Sequence, residues 1–358
     1  MSKQKKSRLL YVISCLSLLL ALSACGSNAS PTATAPPATS TPSEQASSAP
    51  ELTEDETWKL EPAYGKTVRY WLSDGCTSGP TVADMLGYFD EAGMTAEAVK
   101  GTSYTEALGT GAADLAVGHI ATMLVPSTNG VDLSFVAGAH IGCKSLYVLG
   151  DSDYHTTDDL RGLKVSVPNG IGASDYNITA RMFDADGINP LTDVNLVQVE
   201  TGACVAAMQN GELAAVLLTD TYAYDMVKDG TLRMVRSMLD DDFVNEPCCI
   251  IAMNATFVRE NPITSKKITE CVQRAHEWMN LNPEEATQYL IDEGLNSGDF
   301  QKNLEFNISL KFGVPTNEFT EKALRNIVED YIRLGIITAT QDVDEVMAKV
   351  WTPTMSEK

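Results

Sequence analysis

The sequence predicts an α/β fold. From about Lys66 onward, apolar runs of strand length alternate with segments of helical period, and helix-capping residues and Gly or Pro stops punctuate the alternation. The composition, 44% hydrophobic and 21% charged, suits packed cores and excludes a disordered or collagen-like chain. Residues 68–72 read as a first strand, followed by a polar loop, 73–80. Val82, Met85, Leu86 and Phe89 recur at helical spacing and stop at Gly93. Ser103 and Glu106 make a capping-box pair for a short helix, and 114–118, 132–139 and 145–150 read as strands. A second block opens with the capped turn 157–162 and the strand 163–167. Beyond the turn 168–172, a helix carries Ile178, Met182 and Phe183 and ends near Gly187. Strands at 194–199, 214–218 and 232–235, with helices from Thr201 and Thr221, give this block enough elements for its own sheet. After a strand-like run at 248–253 the chain turns helical. Ile268, Cys271, Val272, Ala275 and Met279 form one packing stripe, and Leu324, Ile327, Val328 and Tyr331 another.

The N-terminus reads as an address. Lys3, Lys5, Lys6 and Arg8 precede an apolar run, 9–22, too short to span a membrane, which needs about 20 residues. The run ends in Leu22-Ser23-Ala24-Cys25, which resembles the lipobox of bacterial lipoproteins. On that reading residues 1–24 are a signal peptide and Cys25 is the lipid attachment site, where two acyl chains suffice for stable anchoring. Residues 26–50 are almost wholly Ser, Thr, Ala and Pro, so a disordered tether is expected over 25–60. The formal net charge of −22 becomes −26 once the four basic residues of 1–24 are removed. That balance argues against a nucleic-acid binder, which needs a basic surface.

Several short patterns now fall in one order: Gly101-Thr102-Ser103 with Glu106-Ala107-Leu108; Gly111-Ala112-Ala113-Asp114-Leu115-Ala116; and Asp158-Asp159-Leu160-Arg161-Gly162-Leu163-Lys164-Val165. They continue in Met208-Gln209-Asn210-Gly211-Glu212-Leu213-Ala214-Ala215-Val216 and Phe257-Val258-Arg259-Glu260-Asn261-Pro262. In order and spacing, across about 66–294, the chain resembles the type II periplasmic binding-protein fold, in the branch serving nitrate, sulfonate, taurine and thiamine-precursor ABC importers. The resemblance implies two α/β lobes with mixed sheets and a hinge: lobe 1 from 66–149 and 250–350, lobe 2 from 150–249. It implies a monomeric, lipid-anchored extracytoplasmic protein that closes on a small solute and docks on ABC permease subunits, without catalysis, cofactor or metal. Two alternatives stand beside it: an enzyme on the same fold, similar to thiamine-precursor synthases, and an extracytoplasmic sensor subunit. The cysteine-rich, iron-associated motif of those synthases is not matched, because Cys248-Cys249 is followed by Ile250 and Ile251.

Ligand contacts in such a fold come from loops at strand ends and from helix N-termini. The candidates are Ser73, Asp74, Cys76 and Thr77; His119; His140; Asn169, Gly170, Ile171 and Ser174, where small residues admit a ligand and Ser174 can cap; and Asp220 with Tyr222. None of these loops holds an Arg, so an anion would rest on amides, hydroxyls and imidazole, whereas Asp74, Asp220 and tyrosines would suit a neutral or cationic heterocycle. Cys76, Cys143, Cys204, Cys248, Cys249 and Cys271 suggest disulfides in an exported chain, with the pairing open. Cys204 and Cys271 sit on helix stripes and read as small buried hydrophobes. Adjacent Cys248 and Cys249, with Cys76, Cys143, His119 and His140 facing the same cleft, could make a metal site, although their spacing matches no standard zinc pattern. Enzyme motifs fail: Leu60 stands where a P-loop ending in Gly65-Lys66-Thr67 needs Gly, and Gly170-Ile171-Gly172 lacks the third Gly of a dinucleotide fingerprint.

Overall fold

In the computed structural model, residues 52–355 are described; the expected signal, lipobox and Cys25 lie outside them. Branched and aromatic runs between turns form the strands β1 (Thr67–Trp71), β2 (Thr95–Val99), β3 (Leu115–His119), β4 (Leu133–Ile141), β5 (Lys144–Leu149), β6 (Lys164–Ser166), β7 (Asn195–Val197), β8 (Ala215–Thr219), β9 (Leu232–Ser237), β10 (Cys249–Asn254) and β11 (Lys311–Phe312). They sort into two sheets, ordered β11-β4-β10-β3-β1-β2 and β7-β6-β8-β5-β9. Both sheets are mixed. β1 runs parallel to β2 and β3, and β6 to β7 and β8, while β10 and β5 each lie antiparallel between two neighbours. These two strands follow short crossovers from the other sheet instead of a helix, and a direct crossover does not impose parallel pairing.

The helices are α1 (Glu54–Trp58), α2 (Gly79–Met85), α3 (Tyr88–Glu91), α4 (Tyr104–Gly109), α5 (Ile120–Thr128), α6 (Ser174–Ala185), α7 (Thr201–Gln209), α8 (Asp220–Lys228), α9 (Ala255–Glu260), α10 (Pro262–Leu281), α11 (Pro283–Asp292), α12 (Phe300–Ser309), α13 (Asn317–Arg333) and α14 (Val343–Val350). The main core joins Val68, Leu115 and Ile251 of the first sheet to Val82, Ile268 and Val272, and continues through Leu146 and Val165 of the second sheet and Met182 of α6. On the other face of the first sheet, Leu124 and Phe135 pack with the predicted stripe Leu324, Ile327, Val328 and Tyr331 of α13. The stripe on α10 is buried from Ile268 to Met279, Cys271 included. A third core sets Tyr147 and Val216 of the second sheet against Cys204 and Met208 of α7.

Three expectations change. The run at 145–150, assigned to lobe 1, is β5, which pairs with β8 and β9 in the second sheet, so the first crossover falls at Gly142 and Cys143. The single helix read from Val82 to Phe89 breaks into α2 and α3 at Gly87, whose φ of 73° is readily adopted by glycine. The tether expected through residue 60 ends earlier: Thr53 and Glu56 close a capping box on α1. Trp58 then donates its indole N–H to Thr264 (3.0 Å), and Glu61 accepts the N–H groups of Ile263 (2.6 Å) and Thr264 (2.8 Å).

Candidate functional site: a cleft with a cysteine and histidine floor

Loops from both sheets enclose a cleft of about 870 Å³. Its walls include Ser73, Asp74, Cys76 and Thr77 after β1, Tyr104 at the start of α4, His119 at the end of β3, and Thr219, Thr221 and Tyr222 where β8 enters α8. The structure thus brings together six of the predicted residues: Ser73, Asp74, Cys76, Thr77, His119 and Tyr222. It does not bring the others to this lining. His140 is fully buried on β4 behind it. The Asp220 carboxylate faces Tyr147, whose hydroxyl donates to it at 2.8 Å, and burial pushes Asp220 up to about 6.

Asn169, Gly170, Ile171 and Ser174 are also absent from the lining, for a local reason. The start of α6 is already occupied by its own Asp175, whose carboxylate accepts the Asn169 N–H (3.0 Å) and pairs with buried Lys144. Ala173, not Ser174, is the N-cap residue, and Ile171 projects outward at 72% exposure.

Sequence reasoning missed several wall residues. Tyr104 lies over Gly118, where a Cβ would come within 2.7 Å of its ring, so glycine is what admits the phenol. Burial pushes the Tyr104 hydroxyl up to about 12, which keeps it a neutral donor. Ser103 caps α4 through the Glu106 N–H (3.2 Å), the signal that located this helix without showing which way Tyr104 faces. Lys100 and Lys302 are the basic wall groups, and Lys302 pairs with Asp225 at 2.9 Å. Asn296 accepts the Gly75 N–H at 3.0 Å, while its own Nδ2 is buried with no hydrogen-bond partner. Its turn, Gly294-Leu295-Asn296-Ser297-Gly298, is legible as a loop but not as a wall.

Elements of the two sheets also touch on either side of the cleft. On one side the Asn177 amide of α6 donates to Ala121 O of α5 (2.9 Å), and Arg181 of α6 binds Glu246 (2.9 Å) and Asp330 of α13 (2.8 Å). On the other, Tyr224 of α8 donates to Glu305 of α12 (2.6 Å), which also pairs with Lys228 (3.2 Å).

At the floor, both crossovers meet. Cys143 Sγ lies 3.1 Å from Cys248 Sγ and 4.0 Å from His119 Nδ1. Cys249 Sγ lies 3.5 Å from His119 Nδ1 and 3.7 Å from Cys248 Sγ, and His140 Nδ1 is 3.7 Å from Cys248 Sγ. All six cysteines among the described residues are free thiols, so the expected disulfides are not formed. Burial opposes a charge at Cys143, but hydrogen bonds from Cys248, Cys249 and Cys76 and the neighbouring His119 outweigh it and hold this thiol well below the usual range. Burial and the Cys143 thiolate push Cys248 and Cys249 up. Burial also lowers His140 to about 4.

Residues 74–291, more than half of the chain and the stretch holding both crossovers and the cleft residues from Asp74 to Tyr222, match the model of the NMT1-like family. The chain belongs to the NMT1-like family. No curated protein matches it. Solved structures similar to this NMT1-like chain include the alkanesulfonate-binding protein SsuA from Xanthomonas axonopodis pv. citri bound to MOPS, with TM-score 0.63 and 16% identity over 81% of this chain and 99% of that one. The periplasmic aliphatic sulphonate-binding protein SsuA from Escherichia coli aligns with TM-score 0.63 and 17% identity over 82% and 93% of the two chains. The periplasmic nitrate-binding protein NrtA from Synechocystis PCC 6803 gives TM-score 0.60 and 17% identity over 79% and 85%. At these identities the likeness shows a shared periplasmic binding-protein fold.

Proposed function

We propose that this NMT1-like chain is the solute-binding lipoprotein of an ABC importer, held through Cys25 on the extracytoplasmic face of the cell membrane as a monomer. The observation that carries this reading is the cleft itself, walled by loops of both sheets and bridged on either side by α6 with α13 and α8 with α12. The sheets are the cores of two lobes, hinged at Gly142-Cys143 and at 238–248, and closure of one on the other traps the solute. The names of the sulfonate- and nitrate-binding relatives favour a small sulfonate- or nitrate-class anion over a pyrimidine-like vitamin precursor. Lys100, the Asn296 amide, the Tyr104 hydroxyl and the hydroxyls of Thr219 and Thr221 are the groups that would hold it. No step in this function needs chemistry on the solute.

Thermal-shift screening of the full chain against nitrate, alkanesulfonates, taurine, bicarbonate and pyrimidine precursors tests the reading. The expected result is one class of anion that raises Tm by mass action, worth about 2.7 kcal/mol at a hundredfold excess over Kd. A flat screen, or conversion of a bound compound to product, would count against it.

A further inference from the structure

We propose that the cleft floor is a transition-metal site: one thiophilic ion of the zinc class bound by His119 Nδ1 and the sulfurs of Cys143, Cys248 and Cys249. The inference stands apart from the solute reading, because it rests on the floor and not on the walls. These four donor atoms lie within 4.8 Å of one another. A tetrahedral zinc with ordinary bond lengths separates two sulfurs by about 3.8 Å and a sulfur from an imidazole nitrogen by about 3.6 Å. Four of the six separations are 3.1, 3.7, 3.5 and 4.0 Å, which brackets those values with the side chains already in place. Two of these edges already stand within about 0.1 Å of the ideal, and widening Cys143–Cys248 by about 0.7 Å while drawing Cys143 about 0.4 Å closer to His119 would bring the other two to it.

The backbone supports the same reading. Cys143 is the one non-glycine residue at positive φ among the described residues, at 118°, beside Gly142 at 86°. A non-glycine residue is strained there, and such strain persists where the surroundings require it. Here the strained turn directs a thiol into a group of buried sulfurs. The donor set has three thiolates and one imidazole, which favours zinc-class or cuprous ions over the oxygen-seeking magnesium or calcium. The residue types suggested a site, but linear spacing gave no standard zinc pattern because the donors come from different strand ends and crossovers. Their convergence depends on β10 entering between β3 and β4, which sets Cys249 opposite His119 on one side and His140 on the other. Cys143 belongs to the outward crossover and Cys248 to the return one, so an ion bridging them would also tie the two connections together.

The test uses the full chain, reduced, stripped with a chelator and titrated with Co²⁺ and then Zn²⁺. The expected result is one Co²⁺ per chain with the intense visible bands and sulfur-to-metal charge-transfer absorption of a tetrahedral thiolate site, displaced by Zn²⁺. Cys143→Ser and Cys249→Ser should each weaken binding at least about a hundredfold, whereas Cys271→Ala, remote from the floor, should not. If a floor variant does not fold, alkylation of the unaltered protein decides instead: Zn²⁺ should protect Cys143, Cys248 and Cys249 and leave Cys271 unaffected. A pale six-coordinate Co²⁺ spectrum, charge-transfer bands that survive in the Cys143→Ser/Cys249→Ser double variant, or no Zn²⁺ protection would overturn the proposal. So would quantitative formation of a Cys143–Cys248 disulfide in the presence of stoichiometric Zn²⁺.

Discussion

His276 shows how one side chain sets a solution property. Its ring is fully buried on α10, stacked on Phe312 at 5.7 Å, and neither ring nitrogen has a hydrogen-bond partner. Burial, aided by the neighbouring His140, lowers it to about 3, so the folded protein holds it neutral. The unfolded chain takes up that proton near pH 6.5, so the unfolded state binds more protons below that pH. Stability is therefore fully present above about pH 6.5 and declines as pH falls toward 3. Between about pH 7 and pH 5 the loss from this residue should be about 2 kcal/mol, and urea midpoints of the unaltered chain and His276→Gln should converge as pH drops. A parallel offset at every pH would contradict it. Crowding gives a second residue-scale outcome. A Cβ at Gly79 would stand 2.3 Å from His276 Nε2, so Gly79→Ala should cost about 1–3 kcal/mol in urea unfolding.

At the scale of elements, the helix contacts across the cleft divide into a buried and an exposed kind. Arg181 of α6 is 8% exposed and binds Glu246 and Asp330, so Arg181→Met would leave the buried Glu246 carboxylate without its partner. The expected loss is about 3–5 kcal/mol by chemical denaturation, partly recovered by adding Glu246→Gln. The Lys228–Glu305 pair is exposed and the Tyr224–Glu305 bond only part-buried, so Glu305→Gln should change Tm little and speed solute release about two- to fivefold in stopped-flow measurements. The buried α10 and α13 stripes were legible because a helix shows its packing face every three to four residues. Arg181 and Asp330 were not, because 149 positions separate them and no local pattern joins such a pair. Likewise, 145–150 reads as a strand from its own residues, but its membership of the second sheet depends on β8 and β9, which lie far along the chain. In the cleft, polar loops after β1 and β3 were legible as strand ends. The glycine-rich loop at 168–172 lies outside the cleft lining, where Asp175, which from sequence looks like any other first-turn acid, satisfies the start of α6.

At the scale of the whole molecule, the formal net charge, −22 for the full sequence and −26 without residues 1–24, sets the field an anionic solute must cross. Association of an anion should accelerate as ionic strength rises, because salt screens this unfavourable field, while the rate of release changes little. Stopped-flow rates at low and physiological salt check this, and a rate that falls with added salt would point to a cationic solute. Under the proposed function the opposing local attraction comes from Lys100 and neutral donors, the unpartnered Asn296 amide chief among them. Isothermal titration of the full chain with the anion selected by thermal shift, beside Asn296→Leu and Tyr104→Phe, tests this most directly. The account predicts one site per chain, weakened about tenfold or more by Asn296→Leu and less by Tyr104→Phe. Saturable binding that neither substitution alters would place the solute elsewhere and contradict the account.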